Sequence, residues 1–467
     1  TIMEHPKGFY MLSSATMLES FSYFVFAVIL VLYMTDVLHF TDSFSTYFFG
    51  IAYGMTYLFQ IVGGYLSDRY LGNRKVVLIG IILIAIAQLI FTYDASPYHI
   101  SANMANHSTF LYTNQEILFL IAVIVMSIGV SFFTVSITSF ISLFYKEDSK
   151  LVDSAFSIFY LFRNIGGFLA PVVVSSVVGI HDPKLYQYGY LYGFIAIIAC
   201  LILFLAFKNK TFVSVDGKPL GVTPSFKLQK ENKQKSSAKL SRSEISNLKA
   251  IAIILMAVIV FLMFSQQIFT TIILFAKQHV NNILPIINSQ ISPSLYVSIN
   301  PLFIIILTPI YLKLFHKLSE KNMAVNTYTK IGIGLLLTGI AFLVLFIATH
   351  DLNANTKINM VWIILFSFFL DNAELLIIPV SLSLTSKLAP KKYASSIMGI
   401  FYVSFSIASI IGGVLASAFP NNSATMLLNT IPIANIQTYF MIFAIIGLLC
   451  GALWLLFRKK IENLTTI

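Results

Sequence analysis

Four charged residues stand inside long apolar runs of the sequence, where a charge is costly to keep. They are Glu19, Arg163, Asp371 and Glu374. An ionisable residue inside a membrane helix marks a substrate or ion pathway, because hydrocarbon does not solvate it. A carboxylate there can bind an amine, which carries the opposite charge and donates hydrogen bonds. We therefore predict that Glu374 marks a substrate pocket; the alternative is a carboxylate satisfied by helix packing.

The spacing of Asp371 and Glu374 suggests a second kind of chemistry. They are three positions apart, so on a helix their carboxyl groups share one face. Crowded acids in a poorly solvated site would suit a proton carrier; alternatively, Asp371 caps a helix or hydrogen-bonds across helices. We expect Arg163 to pair with Glu19, although it could instead pack between helices or extend to the membrane surface.

The composition indicates that these residues are positioned by membrane-spanning helices. Of 467 residues, 57% are hydrophobic and 10% are charged, whereas soluble domains have about 25% charged residues. The two cysteines, Cys200 and Cys450, lie in apolar runs and offer no disulfide framework or metal cage. We expect no cofactor, and no nucleophile–base arrangement or phosphate loop indicates an enzyme.

Twelve apolar stretches reach the length of about 20 residues that a helix needs to cross a bilayer. The predicted spans are 9–35, 44–67, 75–93, 115–144, 152–180, 186–207, 250–276, 293–315, 325–349, 360–388, 393–419 and 436–458. A polar segment with ten Lys or Arg residues and three acids separates the two sets of six. The predicted domains are an N-terminal six-helix half, a basic cytoplasmic connector and a C-terminal six-helix half, over 1–207, 208–249 and 250–467.

Basic residues are unequally divided between the two sides of these spans. The side with both termini holds 26 Lys and Arg residues, and the other holds three, Lys184, Lys277 and Lys357. Because cytoplasmic loops carry the excess of Lys and Arg, we predict a multi-pass protein of the cell (inner) membrane with both termini cytoplasmic. The first apolar stretch lacks a small-residue cleavage site, so no cleavable signal is expected. The expected partner is the lipid bilayer rather than nucleic acid, whose binders cluster basic residues on soluble folds, and the expected state is a monomer.

Several motifs together carry a resemblance to a known family. Residues 63–72 have the form GG-x-x-x-DR-x-LG, and span 5 contains FYLFRNIG at 159–166. Span 8 contains Asn300-Pro301, and span 10 has Glu374 five residues before Pro379. These segments resemble the proton-dependent oligopeptide transporter family of the major facilitator superfamily. The resemblance implies an all-α membrane protein with the major facilitator fold, twelve transmembrane helices in two six-helix halves.

The resemblance also implies roles for particular residues. In that family one end of the substrate site binds the amino group of a peptide, and the other end binds its carboxylate. The substrate-binding residues implied here are Tyr23, Tyr57, Asn164, Asn300 and Glu374. The proton-coupling candidates are Glu19, Asp371, Glu374 and Arg163. The resemblance implies Glu19, whereas Asp371 and Glu374 follow from their shared helix face and Arg163 from its expected pairing with Glu19. The implied cytoplasmic gating motif comprises Gly64, Asp68, Arg69 and Gly72.

The carboxylate end departs from the family pattern. Ser20, Ala27 and Thr134 occupy the positions of family cations, and Thr16 and Ser265 occupy those of family acids. A carboxylate left unpaired in a partly dry pocket costs several kcal/mol. Either Arg163 binds the anion, or the substrate is not an ordinary zwitterionic peptide.

The implied function is secondary active transport of a small molecule by alternating access. The expected activity is proton-coupled uptake of di- or tripeptides or peptide-like, amine-bearing solutes, with the proton gradient as energy source. The missing cations leave specificity and coupling open to change. Two alternatives remain, namely export of a siderophore or drug-like amine by proton antiport, and a membrane scaffold or sensor that does not transport.

Overall fold

The computed structural model describes a chain that is mostly α-helical. The described residues are 5–97, 105–145, 151–178, 182–213, 217–224, 241–284, 289–321, 325–353, 356–390, 394–420, 425–427 and 430–465. Helices suit such an apolar chain, because each satisfies its backbone polar groups internally. Much of the predicted connector lies outside the described residues; where it is described, α-helix extends to Thr211 and resumes at Arg242.

Six long helices form the first part of the chain. They are α1 (Lys7–Asp36), α2 (Asp42–Leu66), α3 (Asn73–Asp94), α4 (Asn114–Ser142), α5 (Leu151–Val178) and α6 (Tyr186–Thr211). A π-helical turn, Ser67–Leu71, follows α2, and Gly72 separates it from α3 with a φ of 76°. Glycine adopts positive φ without a steric penalty, so the sharp turn fits this residue.

The second part of the chain contains both helices and short strands. The helices are α7a (Arg242–Ser265), α7b (Thr271–His279), α8 (Ile299–Glu320), α9 (Thr327–Ala348), α10 (Val361–Leu388), α11 (Ala394–Ser417) and α12 (Ile436–Glu462). Short 3-10 turns cover Pro183–Leu185, Gln266–Phe269 and Pro293–Ser298. Six short strands, absent from the sequence prediction, lie in the connections: β1 (Val280–Asn281), β2 (Ile283–Leu284), β3 (Ser289–Gln290), β4 (Ile358–Asn359), β5 (Thr425–Leu427) and β6 (Ile431–Ile433). β1 pairs with β4 in parallel, whereas β2–β3 and β5–β6 are antiparallel.

Eleven helical segments of the described chain are long and apolar enough to cross a membrane. The remaining predicted span, 44–67, corresponds to α2, which has 25 residues. Its glycines, tyrosines and Gln60 make it less apolar than the others. The helical segments therefore lie where the sequence predicted its twelve spans.

The predicted seventh span, 250–276, lies within one apolar helical segment, Arg242–His279, but regular α-helix is interrupted inside it. α7a ends at Ser265, and regular helix resumes only at Thr271. The amide of Gln266 donates to the Ser409 hydroxyl at 2.7 Å, and that of Gln267 donates to the Gly412 carbonyl at 3.0 Å. These bonds to α11 stabilise a break in regular helix at membrane depth, where irregular backbone needs protein partners.

The chain divides into two compact units. The N-terminal unit comprises Thr1–Thr41 and Met55–Ser236, and the C-terminal unit comprises Asp42–Gly54 and Ser237–Ile467. The first part of α2 therefore groups with the C-terminal unit. The domain limits drawn from the sequence stay a prediction.

Each unit has its own packing. In the N-terminal unit α1 packs against α5 and α6, and α3 packs against α4 and α6. In the C-terminal unit α9 lies against α10 and α12, α7a contacts α10 and α11, and α8 contacts α10. The α1–α5 and α8–α10 contacts are the ones that position the candidate functional residues.

Candidate functional site

Asp371 and Glu374 lie on α10 of the C-terminal unit, where one amide bridges them. The Asn300 side-chain nitrogen, at the start of α8, donates to Asp371 Oδ1 at 2.6 Å and to Glu374 Oε2 at 3.0 Å. The two carboxyl groups therefore share a partner, as their spacing on one helix face allows. Asp371 thus hydrogen-bonds across helices, as one of its predicted roles has it, while its role as a proton carrier stays a prediction.

The acid pair lacks a positive charge among the described residues. Asp371 is 1% exposed, and its Oδ2 has no hydrogen-bond partner in the described part of the chain. Glu374 is half-buried, and neither acid forms an ion pair with a described residue. A buried carboxylate without a cation is costly. An incoming ammonium group would supply the missing charge and could donate up to three hydrogen bonds.

Local sequence explains how Asn300 is held in place. Pro301 lies in the first turn of α8, where its missing N–H leaves no helical hydrogen bond unmade. A second bond between the same two helices runs from the Tyr311 hydroxyl to Asn372 Oδ1 at 2.7 Å. The α8–α10 contact thus fixes both the amide and the acids that it bridges.

The N-terminal unit places an acid and a base close together. Glu19 of α1 is 2% exposed, and its Oε1 has no hydrogen-bond partner among the described residues. The positive charge of Arg163 on α5 acts on Glu19. The Ser20 hydroxyl also donates to the Arg163 main-chain oxygen at 2.9 Å. Arg163 therefore lies within electrostatic range of Glu19, while the expected pairing and its role in coupling stay predictions.

A glycine permits this close approach of α1 and α5. A Cβ atom at Gly166 would lie 2.2 Å from the Met17 carbonyl oxygen, nearer than any real contact. Small residues let membrane helices approach closely, so glycine at 166 brings Arg163 within range of Glu19.

The predicted aromatic ligands gather around the same pair. Tyr23 is 5% exposed, hydrogen-bonds with the Thr56 side chain and interacts electrostatically with Tyr57 and Arg163. Asn164 is half-buried, and its amide donates to the Tyr160 carbonyl at 2.8 Å within its own helix. The side-chain oxygen of Asn164 is then the group left to accept a bond from a ligand.

The positions that depart from the family pattern carry neutral groups in the structure. The Thr16 hydroxyl donates to the Leu12 carbonyl at 2.9 Å, inside its own helix. The Thr134 hydroxyl is buried without a hydrogen-bond partner in the described chain. No cluster of His, Cys, Asp or Glu in the described residues could hold a metal ion.

The four residues of the expected gating motif lie around the π-helical turn. Gly64 faces Val135 of α4, and Asp68 and Arg69 are exposed. Arg69 donates to the Tyr65 hydroxyl at 2.8 Å. Gly72 supplies the turn into α3.

Arg74, which sequence reasoning treated only as a loop charge, ties this turn to the segment after α6. Its side chain donates to the Leu220 carbonyl at 2.5 Å and to the Phe212 carbonyl. Its backbone N–H donates to the Gly221 carbonyl at 2.9 Å. Backbone carbonyls leave no trace in side-chain identity, so no sequence signal could have revealed these partners.

Comparison with known proteins places this architecture in a family. The model of the Major Facilitator Superfamily matches residues 12–413, with a second match over 329–466. The chain belongs to the Major Facilitator Superfamily. Its members are transporters, which confirms the prediction that the protein is not an enzyme.

Relatives of this major facilitator protein match over nearly the whole chain. It is 24% identical to an uncharacterised transporter, YclF, of Bacillus subtilis (strain 168) over 92% of each chain. It is also 24% identical to a di-/tripeptide transporter of Lactococcus lactis subsp. lactis (strain IL1403), over 99% of this chain and 97% of that one. A crystal structure of a POT (proton-dependent oligopeptide transporter) family member with a thioalcohol-conjugated peptide is similar, with a TM-score of 0.82, 19% identity and 98% of both chains covered.

These matches confirm two predictions. The resemblance to the proton-dependent oligopeptide transporters holds along the chain. The fold class is confirmed as an all-α, multi-pass membrane protein with the major facilitator fold.

Proposed function

We propose that this protein is a proton-coupled transporter that imports peptides or peptide-like, amine-bearing small molecules by alternating access. The acid pair bridged by Asn300 carries the proposal, because it combines two carboxyl groups with no described cation. Such a site suits an ammonium group. The relatives named di-/tripeptide transporters support the substrate class.

We propose separate sets of residues for substrate binding and for proton coupling. Glu374 and Asn300, with Asn164, Tyr23 and Tyr57, are the proposed substrate ligands. The proposed proton-coupling residues are Glu19, Arg163, Asp371 and Glu374. The proton gradient is the proposed energy source, with no cofactor.

The departures from the family pattern narrow the proposed substrate. Arg163 already acts on Glu19 and Tyr23, so an incoming carboxylate would have to compete with Glu19 for this base. A substrate carboxylate that enters the site would then lose its hydration without gaining a full ion pair, which is energetically costly. We propose a substrate whose carboxylate is masked or absent, or one that carries an additional positive charge.

The proposed location is the inner membrane of a cell, as a monomer with both termini cytoplasmic. The excess of basic residues on the side of the termini supports this orientation. It also assigns Gly64, Asp68, Arg69 and Gly72 to a cytoplasmic gating turn.

Uptake into proteoliposomes with an imposed proton gradient tests the proposal. Labelled dipeptides, dipeptide amides and simple cationic amines are compared at matched membrane potential. Accumulation that collapses with a protonophore supports proton-coupled import, and the preferred compound defines the substrate class. Substrate flux that occurs only in exchange for protons moving the opposite way would indicate export. Binding without any flux would indicate a sensor. Either result contradicts the proposal.

A further inference from the structure

A further buried carboxyl group lies at the end of α3, at the opposite end of this helix from the Gly72 turn. Asp94, its last residue, is 1% exposed. Its Oδ2 accepts a hydrogen bond from the Tyr33 hydroxyl of α1 at 2.8 Å. Its Oδ1 has no hydrogen-bond partner among the described residues.

Neutral groups from three helices surround this carboxyl. Gln115 of α4 donates to the Asp94 main-chain oxygen at 3.2 Å and contacts the Tyr33 hydroxyl at 3.4 Å. Tyr190 of α6 is fully buried, interacts electrostatically with Asp94, and has a hydroxyl without a partner in the described chain. No described Lys, Arg or His forms an ion pair with Asp94. The group thus lies in a neutral, poorly solvated environment.

Asp36, at the end of α1, shows how a structural carboxylate is satisfied in the same unit. Its Oδ2 accepts from the Tyr186 hydroxyl at 2.8 Å and its Oδ1 accepts from the Thr35 hydroxyl at 3.1 Å. Asp36 is half-buried rather than enclosed. Both carboxyl oxygens of Asp36 accept a hydrogen bond, whereas only Oδ2 of Asp94 does so among the described residues. A purely structural role for Asp94 therefore does not explain its Oδ1 atom.

Phenol groups hydrogen-bond to both acids. The rings of Tyr186 and Tyr190 lie edge-on to that of Tyr33, with centroids 6.1 and 5.7 Å away. The Tyr186 hydroxyl donates to Asp36, and the Tyr33 hydroxyl donates to Asp94. Each acid therefore has its own tyrosine hydroxyl as a partner.

An apolar layer closes the other side of the cluster. Phe91 stacks on Tyr190 with centroids 4.9 Å apart and contacts Phe26 at 5.4 Å. Beyond it, the Gln88 amide donates to the Ser22 carbonyl at 2.7 Å. The aromatic layer separates Asp94 from the part of α1 that carries Glu19.

We propose that Asp94 is a proton-binding site of the N-terminal unit, with the Tyr33 hydroxyl as the hydrogen-bond partner of its carboxyl group. A carboxylate with one hydrogen bond and no cation bears the cost of burying its charge. A proton on Oδ1 removes that charge. The proton is taken from water and returned to it. The site is additional to Glu19, Asp371 and Glu374, and it does not require that the chain transport peptides.

Infrared difference spectroscopy of the full-length protein in lipid, with pH as the variable, tests this inference. We expect a pH-dependent carbonyl stretch from a protonated, buried carboxyl that is lost in Asp94→Asn. The matched control Asp36→Asn removes a neighbouring, fully hydrogen-bonded carboxylate and should keep the band. A spectrum of Asp94→Asn identical to that of the unaltered protein would overturn the proposal.

A second variant keeps the test decisive if Asp94→Asn does not fold. Tyr33→Phe keeps the ring and removes only the hydroxyl that donates to Asp94. Loss of that bond should shift the Asp94 carbonyl stretch to higher frequency. A pH-dependent carboxyl spectrum unchanged by Tyr33→Phe would also overturn the inference.

Discussion

Glu19 of the N-terminal unit and the acid pair of the C-terminal unit lie in opposite electrostatic settings. The charge of Arg163 acts on the buried Glu19. Asp371 and Glu374 share the Asn300 amide and form no ion pair with a described residue. Glu19 therefore has a base within electrostatic range, whereas the acid pair has a described amide partner but no described cation.

This contrast favours the proposed amine-bearing substrate. Two carboxyl groups without a described cation suit an ammonium group much better than a carboxylate. The neutral residues at 16, 20, 27, 134 and 265 agree with this reading. Substitutions in each unit test this difference.

Glu374→Gln should have the largest effect, because it removes the accessible charge of the acid-rich unit. A hydrogen bond to a charged group contributes about 1.5–3 kcal/mol, so amine substrates should bind about 10- to 100-fold more weakly. Proton-driven uptake should be lost. Binding and uptake are measured in parallel with Glu320→Gln, a change of an exposed acid in the same unit. Unaltered proton-driven transport in Glu374→Gln would refute its role.

Gly166→Ala should disturb the N-terminal unit by moving Arg163 away from Glu19. The new methyl group would meet the Met17 carbonyl, whereas nothing lies within 4 Å of a Cβ at Gly399. Overpacking costs about 1–3 kcal/mol, and thermal unfolding in detergent should show this loss for Gly166→Ala alone. Equal stability of the two variants would show that the α1–α5 contact is looser than described.

Arg163→Gln should have a smaller effect, which depends on Glu19. Arg163 is half-buried, so solvent screening limits the expected coupling to about 1 kcal/mol. In a double-mutant cycle on unfolding stability, Glu19→Gln should therefore offset part of the loss caused by Arg163→Gln. Effects that add within about 0.5 kcal/mol would show that the two residues act independently.

The sequence was sufficient for the main elements and for the residues of the acid pair. Apolar length located the spans, because a bilayer imposes that length on any crossing helix. Motif resemblance brought Asn300 and Glu374 together. It did not show that one Asn300 amide bonds to both carboxyls, because that depends on how α8 packs against α10.

Other features could not be predicted because side-chain identity does not record them. The break at Gln266–Phe269 lies in an apolar run and depends on bonds to α11. Asp94 lies one residue beyond the predicted span 75–93, where an acid is expected to meet water. Only tertiary structure shows that Tyr33, Gln115 and Tyr190 enclose it.

Binding of three forms of one dipeptide tests whether the site recognises the ammonium group and not the carboxylate. The unmodified dipeptide, its C-terminal amide and its N-acetylated form are titrated into the purified protein under identical conditions. We expect the amide to bind at least as well as the unmodified dipeptide, because the acid pair has no described cation beside it to receive the carboxylate. We expect acetylation, which removes the ammonium, to weaken binding about 10-fold or more. Tight binding of the acetylated form, or loss of binding by the amide, would contradict the account.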